Sequence, residues 1–332
     1  MSIFAGCTMP SSGSSTPNPF YSESSLYLKY PPFDKIKNEH YAPAFELGMK
    51  QHMQEIDSIA LDQDLASFEN TILAMEKAGS LLDRVSTVFY ALTSAHTNDE
   101  MEKVRSEMAP KLSAHSDKIL LNDALFQRVN TLYDNRMDLG LDNESVRLIE
   151  KYHTSFIRAG AKLNAEQKER LKAINSEIAV LQTNFSQNVL KEVNALAIVV
   201  DSKEKLEGLS ESAIESASNE AKSRGMEGKY VIALKNTSGQ PSLSSLKNRE
   251  LRERIHTTSL SRGSRGGEFD NREILTNVLR LRAEKAKLLG YENHAAYTLE
   301  VQTAQTPQAV NERLRSLAPK SLANAKREAS DL

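Results

Sequence analysis

Between residues 171 and 189 the apolar side chains Leu171, Ile174, Ile178, Leu181, Phe185 and Val189 recur at steps of 3, 4, 3, 4 and 4. A helix returns side chains to one face at that interval and a strand does not. A stripe of this length must be covered, so the segment needs a partner along its whole run. The steps approach a coiled-coil seam, which leaves two readings. Either a helix from another protein docks there, or the stripe is one side of an internal helical hairpin. The second is the simpler, because the preceding sequence supplies helices ready to serve.

Those helices are legible in the same way. Phe45, Met49, Met53, Ile56 and Ala60 mark one over residues 41–60, with Pro43 near its start, where the missing N–H does no harm. Ile72, Met75, Leu82, Val85 and Phe89 mark a second. Asn98 and Asp99 cap a third that carries Met101, Val104, Met108 and Leu112. Asp142 or Asn143 opens a fourth, with Val146, Ile149, His153, Phe156 and Ile157 facing inward and Gly160 near its end.

The pattern then changes. Residues 195–200 and 229–234 are short runs rich in Val, Ile and Tyr, which read as strands. A helix over residues 210–224 separates them, with Ser210 as its cap and Gly225 past its end. Helices resume over 243–259, 270–289 and from Thr306 onward. Asp270 with Glu273 has the form of a capping box, Gly290 closes that helix, and Pro319 is expected to kink or restart the last one. Gly 14 and Pro 10 in 332 residues fall well below the roughly 12% that soluble proteins average. The fold class is mainly α, with a small strand–helix–strand insertion around 195–234. Residues 325–332 are still in helical pattern with no stop signal, so the chain is expected to be a truncated one.

Charge excludes one class of partner. Net charge is −2, both signs are mixed along the chain, and phosphate binding needs a clustered positive surface, so no nucleic-acid partner is expected. Arg262 and Arg265 in the stretch Ser261 to Gly267 could touch an anion, but a flexible loop between helices is the plainer reading. No run approaches the ~18 apolar residues of a membrane span. Residues 1–19 read as a disordered leader or tether rich in Ser, Pro and Gly, and residues 20–332 as one helical portion. Phe4, Ala5, Gly6 and Cys7 resemble the end of a lipoprotein signal, yet the basic start and apolar stretch of such a signal are missing. A cytoplasmic location is expected, with lipid anchoring through Cys7 as the alternative if the true start lies upstream.

The search for chemistry returns little. A zinc peptidase needs ligands converging on one metal with an open position for water, most often through HExxH on one helix face. The seven histidines, His40, His52, His96, His115, His153, His256 and His294, include none followed by Glu and no two closer than twelve residues. GxSxG, GxxxxGK[ST] and GxGxxG are absent, and Cys7 sits in the leader, so neither covalent catalysis nor a phosphate cradle has a candidate. No catalytic, cofactor-binding or metal residue is assigned.

A series of short motifs goes further than periodicity. Asn18, Pro19 and Phe20 are followed by Pro32, Phe33, Asp34 and Ile36, then by His40, Tyr41, Ala44, Phe45, Gly48 and Met49. Phe68, Asn70, Thr71, Ile72, Ala74, Glu76 and Gly79 come next, then Ala95, His96 and Glu100. Later stand Ala159 to Leu163, Leu234, Asn236 and Thr237, then Arg282, Lys285, Ala286, Leu288 to Tyr291, and His294 to Tyr297. In this order and spacing the chain resembles the amino-terminal half of the thimet oligopeptidase (M3) family of zinc peptidases, and within it the bacterial peptidyl-dipeptidases. The resemblance implies a multi-helix, channel-forming half of a clam-shaped peptidase, monomeric, acting on short peptides. It also implies one zinc ion held by HExxH and a downstream glutamate, both outside this sequence. Oligopeptidase A-like internal cleavage and a non-catalytic helical peptide- or protein-binding module are the alternatives. The expected consequence is that the purified chain retains no stoichiometric zinc after dialysis and cleaves no peptide. Elemental analysis finding one tightly held zinc per chain contradicts the reading of all seven histidines.

Overall fold

The computed structural model describes residues 17–234 and 239–331. The chain forms two units. The first comprises the residues up to Met108 together with His115–Phe156, and the second comprises Ala109–Ala114 and the residues from Ile157 onward.

In the first unit α1 (Tyr41–Ala60) packs along α3 (Ser80–Ala95). A Cβ at Gly48 would lie 2.9 Å from the Leu82 Cα, so only glycine lets the two backbones approach this closely. Around that contact Phe20, Tyr41, Phe45 and Phe89 form a buried aromatic ladder, with ring centroids 5.0 to 5.4 Å apart. Tilted and edge-on ring pairs of this kind add to what area burial alone supplies. The helix expected to run from Ile72 to Phe89 is two pieces. A π-helical turn (Phe68–Leu73) leads into α2 (Ala74–Lys77), and Gly79, at φ 80°, breaks the run before α3. The apolar period continues across the break, which is why periodicity alone merged them.

Asn98 caps α4 (Asp99–Leu120) as expected, its side chain accepting from the Met101 amide at 3.0 Å. The helix α5 (Asp123–Asn135) was not foreseen. Asn122 caps it, and Leu125, Phe126, Val129 and Leu132 are buried at helical spacing. In α6 (Asn143–Ala159), Ile149 and Phe156 are buried as expected, while Val146, His153 and Ile157 are only half-buried.

In the second unit α7 (Ala165–Ala195) is the longest helix among the described residues. Its stripe is covered from within the chain, but by a later helix, α10 (Arg272–Leu288), rather than by a preceding one. Leu171 and Ile174 are fully buried; Ile178, Leu181, Phe185 and Val189 are half-buried. At its start Gly160, at φ 99°, turns the chain where a Cβ would lie 2.7 Å from Leu171 and 2.9 Å from Leu163.

The predicted insertion is present. β1 (Ile198–Val200) pairs antiparallel with β2 (Tyr230–Ile232), Val199 opposite Val231, and α8 (Glu211–Ser223), capped by Ser210, lies between them in sequence and packs on β2. With α9 (Arg249–Leu260) these elements share a core of Ile198, Val200, Leu206, Ile214, Leu234, Leu246, Leu251 and Ile255.

Three end signals behave differently from expectation. A 3-10 turn (Pro241–Ser244) precedes α9, which starts only after its cap Asn248, because the Asn248 side chain takes the Leu251 amide. Asp270 forms no box with Glu273; its carboxylate accepts from the Arg272 and Gly266 amides and pairs with the Arg272 guanidinium. Gly290, at φ 84°, ends α10, after which comes α11 (His294–Leu299). Pro319 then lies inside α12 (Pro307–Asp331) without dividing it. A proline removes one backbone hydrogen bond, and on an exposed helix water satisfies the freed carbonyl. No described residue of α12 is buried, and Leu314, Leu317 and Leu322 are 58%, 42% and 56% exposed.

Two outcomes are expected. Amide exchange should be slow over residues 171–185 and fast over 307–331, since protection follows burial; equal protection in a monomer contradicts the assignment. Gly48→Val should lower stability by about 1–3 kcal/mol through overpacking against Leu82, read as a shifted urea midpoint.

Candidate functional site

The motif residues turn out to be joints of the scaffold. Asn18 donates to the His40 carbonyl at 2.8 Å, and Arg84 holds the Phe20 carbonyl at 3.1 Å, fastening the leading segment of the first unit beneath Tyr41. Asn70 and Ser67 cap one another: the Ser67 amide donates to the Asn70 side chain at 2.7 Å and the Asn70 amide to the Ser67 hydroxyl at 3.1 Å. Arg128 of α5 completes this joint. Its guanidinium donates to the Asn70 side chain, to Thr71 Oγ1 and to the Asp62 and Asp64 carbonyls at 2.9 to 3.2 Å. Nothing in the sequence marks Arg128, because its partners lie 57 to 66 residues away.

In the second unit Arg158 does comparable work. It stacks over the Tyr297 ring at 4.3 Å, donates to the Tyr297 carbonyl at 2.7 Å and pairs with Glu300. Burial, with a hydrogen bond to Glu300, pushes the Tyr291 hydroxyl up to about 12. The same bond, helped by Arg158, holds the Glu300 carboxyl below the usual range. These groups stay in fixed charge states at neutral pH, which suits a clamp rather than proton transfer.

The histidines do not converge on a metal. Among the described residues no group of three or more His, Cys, Asp or Glu could hold one. His52 and His115 contact one another, Nδ1 to Nε2 at 3.0 Å. His153 stacks on Tyr133 with centroids 3.7 Å apart, His40 accepts from the Lys37 amide, and His256 is exposed. The His294 Nδ1 is buried without a partner, and burial, with Arg282 and Lys285 nearby, lowers that ring's pKa.

The stretch around Arg262 and Arg265 is the expected loop between two helices, α9 and α10, and it is hydrogen-bonded from within. Glu192, only 4% exposed, accepts from the Gly263 amide and faces Arg265 at 3.8 Å, while Arg265 and Arg262 donate to the Thr258 and Ser259 carbonyls. Both cations are engaged internally. A shallow cleft in the same unit is lined by Asp201, Lys205, Glu250 and Arg254 over Val199, Val200 and Leu251. Its balanced charges and lack of a nucleophile give it no evident chemistry. Cys7, Asn236 and Thr237 lie outside the described residues. No helix among the described residues is long and apolar enough to cross a membrane.

Residues 242–332, which include α9 to α12, match the model of Peptidase family M3. Similarity to individual proteins reaches further. The chain is 40% identical over 316 residues to a dipeptidyl carboxypeptidase of Escherichia coli (strain K12), covering 95% of this chain and 46% of that protein. The dipeptidyl carboxypeptidase of Salmonella typhimurium is 41% identical over 302 residues, 91% of this chain and 44% of that protein. An oligopeptidase A of Haemophilus influenzae is 28% identical over 306 residues, covering 91% and 45%. The chain is thus similar to dipeptidyl carboxypeptidases and to an oligopeptidase A along nearly its whole length, and spans about half the length of the curated relatives it matches.

Arg128→Ala should lower stability by about 2–4 kcal/mol, since charge-assisted bonds to several acceptors are lost at once. Arg128→Lys should recover little, because an ammonium does not reproduce the fork. Urea unfolding of both variants measures the difference.

Proposed function

We propose that this chain is the amino-terminal portion of a zinc-dependent peptidyl-dipeptidase that releases dipeptides from the carboxyl end of short peptides. The observation that carries this reading is the identity of 40–41% to dipeptidyl carboxypeptidases, against 28% to the oligopeptidase A of H. influenzae. Among the described residues no group of three or more His, Cys, Asp or Glu could hold a metal, and His52 and His115 are occupied with each other. In the proposed enzyme the zinc ligands belong to sequence outside this chain, and no catalytic step is assigned to residues here. What this portion supplies to the proposed enzyme is part of the lining of a channel that admits flexible peptides and not folded proteins, with the first unit jointed at Gly48, Asn70 and Arg128 and the second at Gly160 and Arg158.

The proposal includes action as a monomer in the cytoplasm and no nucleic-acid partner. Labelled palmitate incorporated into a longer protein, and lost on Cys7→Ser, would move it to a membrane surface instead.

The activity is tested on the protein read through the full natural frame, using matched short peptides with free and amidated carboxyl ends. Stepwise loss of dipeptides from the free end, seen by mass spectrometry and abolished by a chelator, is the expected result. Internal cleavage of the amidated peptide points to the oligopeptidase A mode. No cleavage of either peptide with zinc present removes the peptidase reading.

A further inference from the structure

We propose that the His52–His115 contact is an acid-released latch, holding α4 against α1 at neutral pH and letting go when both rings carry protons. The two imidazoles are tilted to one another and meet through their nitrogens, Nδ1 to Nε2 at 3.0 Å, with centroids 5.0 Å apart and planes at 54°. One ring donates and the other accepts, so the contact has room for a single proton between the two nitrogens.

The surroundings confine the pair. His115 is 8% exposed, His52 is half-buried, and a Cβ on the neighbouring Gly79 would lie 2.9 Å from the His52 Nδ1. The charged groups facing the pair are Glu55 on α1 and Lys118 on α4. From the turn before α3 comes only the Gly79 backbone, whose amide donates to Glu55 at 2.6 Å. A first proton is tolerable, because an imidazolium still donates to its neutral partner and Glu55 offsets the charge. A second places two N–H groups head to head beside Lys118, and the contact becomes repulsive.

The direction of the pH effect follows. Burial, then the neighbouring His52 and Lys118, lower the His115 pKa from 6.5 to about 4, and burial lowers that of His52 against an opposing pull from Glu55. The opened state therefore binds more protons than the closed state below pH 6.5. Closure is fully favoured above that value and weakens as pH falls towards 4. Between pH 7 and pH 5, where ordinary carboxylates stay ionised, opening should become about 20-fold more populated, by the same linkage relation.

Hydrogen exchange on the 332-residue chain, corrected for the intrinsic pH dependence of exchange, reads this directly. Protection around His52 in α1 and His115 in α4 should fall about 20-fold from pH 7 to pH 5 relative to residues 171–185. In His115→Gln, which keeps a polar group but cannot titrate, the fall should shrink several-fold, to what His52 alone contributes. An equal fall in the variant overturns the latch. Should that variant not fold, the imidazole proton resonances of the unaltered chain decide. Two rings titrating independently near 6.5 overturn the proposal, whereas one ring titrating far below 6.5 together with loss of α1 and α4 protection sustains it.

Discussion

The close approach of α1 and α3 at Gly48 organises the first unit. With no Cβ at Gly48, the Leu82 backbone comes near enough for Phe45 and Tyr41 each to meet Phe89 edge-on. Phe20 is then held against Tyr41, and Arg84 fixes the Phe20 carbonyl from α3. A larger residue at Gly48 would widen the gap between the helices and loosen each of these contacts in turn, since a close-packed interior transmits small displacements.

The second unit depends on a similar device at another place. Gly160 turns the chain so that Leu163 and Leu171 pack beneath it and α7 can run along α10. Farther along, Asn271 donates to the Phe185 carbonyl and accepts from Asn188, while Glu192 gathers the Gly263 amide and Arg265. A carboxylate buried to this degree costs free energy unless it is hydrogen-bonded. Satisfying Glu192 is what converts a Gly-rich stretch into an ordered turn.

Seen in the fold, the motifs that carry the resemblance to M3 peptidases mark places where only one residue type fits. Gly48 and Gly160 allow close approach, Asn18 and Asn70 bond the backbone, and Asn98 caps a helix.

The sequence by itself determined the helical class, the strand–helix–strand insertion, and the starts of α1, α4, α6, α8 and α12, because period and cap chemistry are local properties read over a few residues. It also located the apolar stripe of α7 and the helical run of α12. Their fates differ: α7 is covered by α10, whereas α12 exposes Leu314, Leu317 and Leu322, and no local pattern separates the two cases. The break at Gly79 was hidden because the apolar period continues through it. Arg128 and the His52–His115 pair were hidden for another reason: each acts on partners some sixty residues distant. Only the tertiary structure brings those partners together, since helix packing fixes which distant faces meet, and burial then decides which polar groups must pair.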